Sequence, residues 1–283
     1  MTENVVISNS KELEKIKKLI SEAGAERLHI LTDFDRTLTT AFVNGKSVPS
    51  IISILREGSY LTPDYTKAAN ELYAKYHPVE IDPKIPLEEK KKMMKEWWTT
   101  HFKLLIKSGL NKKDLKKVVD SEKIRFRDGF GEFVDFLQRH NIPLVIISSS
   151  GLGTDTISMC LKKEGKLFDN IYIISNSYEW DKNGNAISIK QPIIHGMNKD
   201  ETVIRGFPFF DLIKYRKNIL LIGDSLDDIG MVNGFNYDNL IKIGFLNENV
   251  AENLEYYKRT YDVIILNDSS MDYINNLLKE MIK

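Results

Sequence analysis

The stretch His29-Ile30-Leu31-Thr32-Asp33-Phe34-Asp35-Arg36-Thr37-Leu38-Thr39 decides the fold: an apolar run delivers two carboxylates two residues apart, followed by threonines. In an extended strand, side chains i and i+2 point the same way, so Asp33 and Asp35 leave the strand end on one side, close enough to serve one reacting centre. Two such acids repel each other unless a cation or a shared proton relieves them. A hard divalent ion such as Mg²⁺ fits, because it takes oxygen ligands and works beside substrate phosphates. One Asp is then free to attack phosphorus while the other handles a proton. Taken alone, the pair also fits a polar loop after a buried strand, since so short a motif recurs by accident.

Three further segments supply company. Lys217-Asn218-Ile219-Leu220-Leu221-Ile222-Gly223-Asp224-Ser225-Leu226-Asp227-Asp228 is a second apolar strand that ends in a glycine and a group of acids. Open α/β sheets bind ligands at the carboxyl ends of their strands, so Asp224 is a third acidic candidate, although Gly-Asp-Ser is also an ordinary turn signal. Ile142 to Ile147 reads as a third strand running into Ser148-Ser149-Ser150-Gly151-Leu152-Gly153. Hydroxyls and amides of small residues before a helix cradle phosphate oxygens, or simply cap that helix. In Asn198-Lys199-Asp200, Lys199 is either a point cation balancing the carboxylates or one more solvated lysine.

Around these segments the pattern alternates. Helical spacing is expected over residues 11–23, with Ser10 as a cap and Gly24 as a stop. It is expected again over 130–140 and 155–164, with strands at 144–147, 171–175, 219–222, 239–245 and 261–266 and a β excursion over 178–194. This predicts an α/β fold, a parallel sheet wrapped by helices on both faces. From about Ser50 to Ser121, lysines and acids interleave with Leu72, Met93, Trp97, Trp98, Phe102 and Leu105, without long β-branched runs, which predicts inserted helices. The expected organisation is a core in two parts, 1–47 and 126–283, interrupted by a helical cap over 48–125. Pro78 to Pro83 reads as a loop carrying Glu80, followed by a charge-rich helix over 84–95.

The four pieces, in this order, resemble the haloacid dehalogenase (HAD) superfamily of phosphotransferases. Tyr76 to Pro83, Glu96-Trp97-Trp98-Thr99, Arg127-Asp128-Gly129-Phe130, Ile147 to Gly153 and Gly223 to Asp228 narrow it: they resemble the cytosolic 5′-nucleotidase III, or pyrimidine 5′-nucleotidase, group over nearly the whole chain. The resemblance implies a HAD-like Rossmannoid core with a cap and a Mg²⁺-dependent 5′-nucleotidase acting on CMP, UMP or 7-methyl-GMP through an aspartyl phosphate. It implies Asp33 as nucleophile and metal ligand, and Asp35 as acid/base that offers the metal its backbone carbonyl. Ser149 and the Ser150 amide would hold the phosphoryl group, with Lys199 neutralising it. Asp224 would complete the metal's protein ligands, with Asp228 behind it. Glu80 would read the nucleoside, and Trp98 would lie against the base. Two positions depart from the family's pattern: His101 stands where a small residue is common near the substrate, and Ser150 where Ala is commoner. His101 reads as a helix-surface histidine or as a base contact. Rival readings are a HAD phosphatase for another small phosphate such as phosphoserine, phosphotransfer to a nucleoside, and a catalytically silent nucleotide-binding protein.

Composition bounds the rest. The chain has 283 residues, 42% of them hydrophobic, enough for a large core or a core plus a smaller domain. Lys+Arg 40 against Asp+Glu 40 leaves no net charge, so neither nucleic acid nor a membrane is expected as partner. The single Cys160 excludes an internal disulfide and suits a reducing compartment. With neither a secretory leader nor a spanning run, a cytoplasmic monomer is expected.

Overall fold

The computed structural model describes residues 4–48, 50–82, 84–199, 207, 209–233 and 235–282. Pro49, Pro83 and Asp200 lie outside the described residues. The core strands are β1 (Val5–Ile7), β2 (Leu28–Thr32), the small hairpin β3 (Phe42–Val43) and β4 (Lys46–Ser47), β5 (Leu144–Ile147), β6 (Ile171–Ile174), the hairpin β7 (Tyr178–Trp180) and β8 (Ala186–Ile189), β9 (Asn218–Gly223), β10 (Asn239–Leu246) and β11 (Val263–Leu266). Seven of them form one sheet in the order β1-β11-β10-β9-β2-β5-β6. Every pairing in it is parallel except β1 on β11. The chain works outward from β2 in one direction through β5 and β6, then restarts at β9 and works outward in the other. The switch point between β2 and β9 is where open α/β sheets leave a crevice for ligands.

Alternation along the strands feeds two cores. Leu28 and Ile30 of β2 join Leu144, Ile146, Leu220 and Ile222 in one apolar cluster. Leu31 joins Val145, Ile147, Ile219 and Leu221 in the other. Helix α1 (Ser10–Ala23) presents Leu13 and Ile20 to the first cluster. Its cap is Asn9, not the expected Ser10: the Asn9 side chain accepts the Glu12 amide at 3.2 Å, satisfying a donor that the helix leaves free. The edge strand β1, too short to show an alternating pattern, was not visible in the sequence.

Between β4 and β5 stand helices α2 (Ile51–Glu57), α3 (Pro63–Ile81), α4 (Leu87–Lys107), α5 (Lys112–Asp120) and α6 (Phe130–Arg139), with α7 (Gly153–Lys163) following β5. The long pair α3 and α4 is joined by a cluster of Tyr76, Met94 and Trp97, in which the Tyr76 and Trp97 rings stack at 5.8 Å. This pairing overrides the expected loop. Helix α3 runs straight through Pro78, so Glu80 sits on a helix and not in a Pro-flanked loop. A proline normally forfeits a helical hydrogen bond; the aromatic packing one turn earlier offsets that loss.

His29 of β2 is fully buried, its Nδ1 2.9 Å from the Arg216 carbonyl. Burial pushes its imidazole down to about 4, and the same direction holds for His101 and His195. An imidazole that is neutral when folded but protonates near 6.5 when unfolded stabilises the fold above pH 6.5, and that contribution is lost as pH falls toward 4. Thermal or urea unfolding between pH 4 and 7 should therefore show stability dropping with acid. In His29→Gln the drop should be shallower by about 1.4 kcal/mol per pH unit, one proton's worth. Equal slopes for the two proteins would show that His29 takes up no proton on unfolding.

Candidate active site

Register places the site. Thr32 lies opposite Ile222 of β9 and Ile146 of β5, so all three strands end at one level. The Asp33 amide continues the ladder by donating to the Ile222 carbonyl at 3.1 Å. At this edge Lys199 Nζ, 6% exposed, reaches Asp33 Oδ1 at 2.6 Å and Asp228 Oδ1 at 3.1 Å. One carboxylate oxygen from each of Asp33, Asp224 and Asp228 lies within 4.8 Å of the others. Four of the acids and bases singled out in the sequence, separated by nearly two hundred residues, thus share one small volume.

Asp228 is more than a neighbour. Its Oδ2 accepts the amides of Asp224 and Ser225 at 3.1 and 3.0 Å, so it shapes the loop that presents Asp224. Gly223 makes this possible, because a Cβ there would sit 2.6 Å from the Asp228 Cβ. From the far side, Tyr257 donates its hydroxyl to the Asp224 carbonyl and Tyr261 donates to that of Ser225. Asp35 stands apart from the trio. Its Oδ1 accepts the amide of Ile51, the first residue of α2, at 3.1 Å.

Electrostatics follows from crowding in a buried place. Burial, opposed by Lys199 and reinforced by Asp228, pushes the Asp33 carboxyl above the usual carboxylate range. Burial, then the charge of Asp33, pushes Asp35 up to about 7, a carboxyl able to give and take a proton near neutrality. Burial with Asp228 and Asp33 holds Asp224 well above the carboxylate range. For Lys199 burial works against the charge, but Asp228 and Asp33 outweigh it and keep the ammonium above lysine's ordinary value. Lys199 and the Arg36 guanidinium, 3.7 Å from Asp224 Oδ2, offset part of the charge these acids carry, and an all-oxygen donor set of this kind fits a hard divalent cation.

Two adjoining cavities meet here. One, of about 750 Å³, holds Asp33, Asp35, Ser149, Lys199, Asp224 and Asp228. The other, of about 260 Å³, is walled by Arg56, Tyr73, His77, Trp97, Trp98 and His101. Asp35, Ser50, Glu80 and Ser149 line both. Glu80 is oriented by His77, whose Nδ1 lies 3.2 Å from Glu80 Oε2. Trp98 stacks on His101 at 5.7 Å with planes 11° apart, and Gly151 lets it approach, since a Cβ there would come within 2.7 Å of the indole. His101 is only 2% exposed, with Nε2 3.0 Å from the Tyr65 hydroxyl. It is therefore a buried wall of this cavity and not a helix-surface residue: the face of α4 carrying it turns inward against Tyr65.

The serine loop is held by a residue that sequence reasoning missed. Asn176 donates to the carbonyls of Ser150 and Ile194 at 3.2 and 2.9 Å and accepts the Ile194 amide at 2.9 Å. It straps the loop to the segment leading to Lys199. Within the loop the Ser150 amide donates to Ser148 Oγ at 3.1 Å, while Ser149 faces both cavities. A second holding residue is Arg127, which stands in one of the motifs carrying the resemblance but was given no role. Its buried guanidinium donates to the carbonyls of Arg36, Thr37 and Ser269, to Asn247 Oδ1 and to Asp268 Oδ1. Asp268 in turn accepts the amides of Ala41 and Phe42 at 2.8 and 3.0 Å. The loop after Asp35 is thereby tied to the loops after β10 and β11. Neither role carries a local chemical signal, because each residue works by contacts across the sheet edge.

Comparison with known proteins accords with this geometry. The family model described as pyrimidine 5′-nucleotidase (UMPH-1) matches residues 36–282. The 7-methylguanosine phosphate-specific 5′-nucleotidase of Gallus gallus is 33% identical over 276 residues, covering 97% of this chain and 95% of its own. The crystal structure of cytosolic 5′-nucleotidase IIIB bound to cytidine superposes with a TM-score of 0.90 at 30% identity, covering 99% of this chain and 94% of that one. A HAD family hydrolase from Salmonella enterica shares the fold, with a TM-score of 0.55 at 19% identity over 93% of this chain and 73% of its own.

Removing one partner of a buried, hydrogen-bonded ion pair costs about 3–5 kcal/mol, because the other charge is left uncompensated. Arg127→Met should lose stability of that order in chemical denaturation, and Arg127→Lys should recover only part of it. A loss under about 1 kcal/mol would mean that the buried arginine does not hold the loop.

Proposed function

The chain belongs to the pyrimidine 5′-nucleotidase family and is a 5′-nucleotidase, a phosphoric monoester hydrolase with a HAD-like α/β fold, and from that premise we propose the roles of its site residues. Asp33 attacks the phosphorus of a nucleoside 5′-monophosphate, and the bond from phosphorus to the ribose 5′ oxygen breaks. Asp35 gives its proton to that departing oxygen. Asp35 then takes a proton from a water that attacks the aspartyl phosphate, which releases phosphate and restores both acids. A carboxyl pushed up to about 7 suits both halves of this cycle.

Lys199, Ser149 and the small-residue loop hold the phosphoryl oxygens, where fixed donors and charge do most of the work in phosphoryl transfer. Asp33, Asp224 and the backbone of Asp35 would hold a Mg²⁺ ion, with Asp228 keeping Asp224 in place; bound there, the ion supplies positive charge to a phosphate that Lys199 alone does not neutralise. The observation that carries this reading is the gathering of Asp33, Asp224, Asp228 and Lys199 beside an aromatic cavity that shares Asp35 and Glu80 with them.

Residues 48–125 then act as a cap whose α3 and α4 close the nucleoside end of the site. The base lies against Trp98 with His101 behind it, and Glu80 accepts a hydrogen bond from the nucleoside. A flat aromatic wall beside a carboxylate favours electron-poor bases, and a base carrying positive charge gains further from the indole face. Cytosine and 7-methylguanine are therefore the proposed preferences. The protein acts in the cytoplasm, in keeping with the cytosolic name of its structural relative and with the absence of any helix among the described residues that is long and apolar enough to cross a membrane.

Asp33→Asn should lower kcat for CMP by at least about 10⁴-fold with an unchanged circular dichroism spectrum; substantial residual turnover would remove Asp33 as nucleophile. Glu80→Ala should lower kcat/KM for CMP and 7-methyl-GMP by roughly 10- to 100-fold while leaving p-nitrophenyl phosphate hydrolysis within about threefold. Equal losses on both substrate types would take Glu80 out of nucleoside recognition.

A further inference from the structure

Arg56, near the C-terminal end of α2, is among the described residues the one cation on the wall of the aromatic cavity, and nothing in the sequence patterns marks it. Arginine offers five donors in a rigid fork, and a half-buried guanidinium is ordinarily paired with carboxylate or carbonyl oxygens. Among the described residues the Arg56 side chain makes no hydrogen bond and no ion pair, and its Nε is buried without a partner. What fixes it is packing: the guanidinium carbon rests 4.6 Å from the centre of the Tyr73 ring, Tyr73 stacks on His77 at 4.6 Å, and His77 orients Glu80. The backbone is fixed as well, since Thr66 Oγ1 donates to the Arg56 carbonyl at 2.9 Å. The buried Nε is a donor whose lack of a partner costs free energy unless a ligand supplies one, and the rest of the fork lies on the cavity wall.

We infer that Arg56 is a specificity-determining residue that donates to a carbonyl oxygen of the bound nucleobase. This inference rests on the 5′-nucleotidase reading above. The small cavity has an acceptor in Glu80 and a donor in Arg56, with flat aromatic walls between them. That polarity matches a planar heterocycle bearing both an amino group or N–H and a carbonyl oxygen: cytosine, uracil, guanine and 7-methylguanine carry one, and adenine does not. An arginine fork placed against a base carbonyl is a strong discriminator. A site built around such a donor disfavours the analogue that leaves it unpaired. Arg56 thus turns a sequence-tolerant aromatic stack into a selector against adenine.

The test compares wild-type protein with Arg56→Met, supplied with Mg²⁺, on CMP, UMP, 7-methyl-GMP, AMP and p-nitrophenyl phosphate, alongside calorimetric binding of cytidine and adenosine. The expected result is a roughly 10- to 100-fold loss of kcat/KM on the three carbonyl-bearing nucleotides, with a matching loss of cytidine affinity. AMP and p-nitrophenyl phosphate should stay within about threefold, so that the CMP to AMP ratio collapses. Arg56→Lys, which keeps a charge but not the fork, should fall between the two. An unchanged CMP rate, or AMP and p-nitrophenyl phosphate falling in step with CMP, overturns the assignment. Wild-type protein that cleaves p-nitrophenyl phosphate but none of the nucleotides overturns the 5′-nucleotidase reading itself, before any variant is compared.

Discussion

Everything at the strand ends depends on Lys199. Three carboxylates cannot be buried within a few ångströms of one another without compensation, because each loses its hydration and gains two like-charged neighbours. The ammonium of Lys199, itself buried, touches Asp33 and Asp228 together, and backbone amides of the 224–225 loop take the remaining oxygen of Asp228. This relieves part of the repulsion and leaves part of it standing. The negative charge left over favours a hard cation, and a cation held there would offset the charge of a phosphate.

The backbone around that cluster is held from three directions by side chains that hydrogen-bond to it or to its neighbouring loops. Arg127 binds the loop after Asp35 to the loops after β10 and β11. Tyr257 and Tyr261 reach the carbonyls of the Asp224 loop, and Gly244 leaves room for the Tyr261 ring, which a Cβ there would meet at 2.6 Å. Asn176 joins the serine loop to the Lys199 segment. Loops at a sheet edge are otherwise the softest part of an α/β fold. Tying them to one another through buried polar contacts fixes the donors and acceptors before substrate arrives.

The inserted helices supply the other half of the site. Asp35 is the joint between the two, since its carboxylate accepts the first amide of α2 while its neighbour Asp33 belongs to the charge cluster. Arg56 lies further along the same helix, and Glu80 and Trp98 lie on the next two, so the aromatic cavity is assembled from consecutive helices, with Asp35 and the serine loop as the contribution of the sheet's edge.

The sequence by itself determined the parallel strands, because period-two apolar runs ending in acids or serines are a local signal. It also determined the inserted helical segment and the identity of the charged candidates, through short motifs in a fixed order. It misplaced Glu80 and left His101 between two readings: the helix at Pro78 and the direction in which α4 turns His101 are settled by packing, by Tyr76 on Trp97 and by Tyr65 on His101, between residues far apart in the chain. The supporting roles of Arg127 and Asn176, and the unpartnered Nε of Arg56, were likewise not legible. Only the tertiary structure decided these, because a hydrogen bond across a sheet edge, or the want of one in a cavity wall, is a relation between distant segments and leaves no periodicity in either of them.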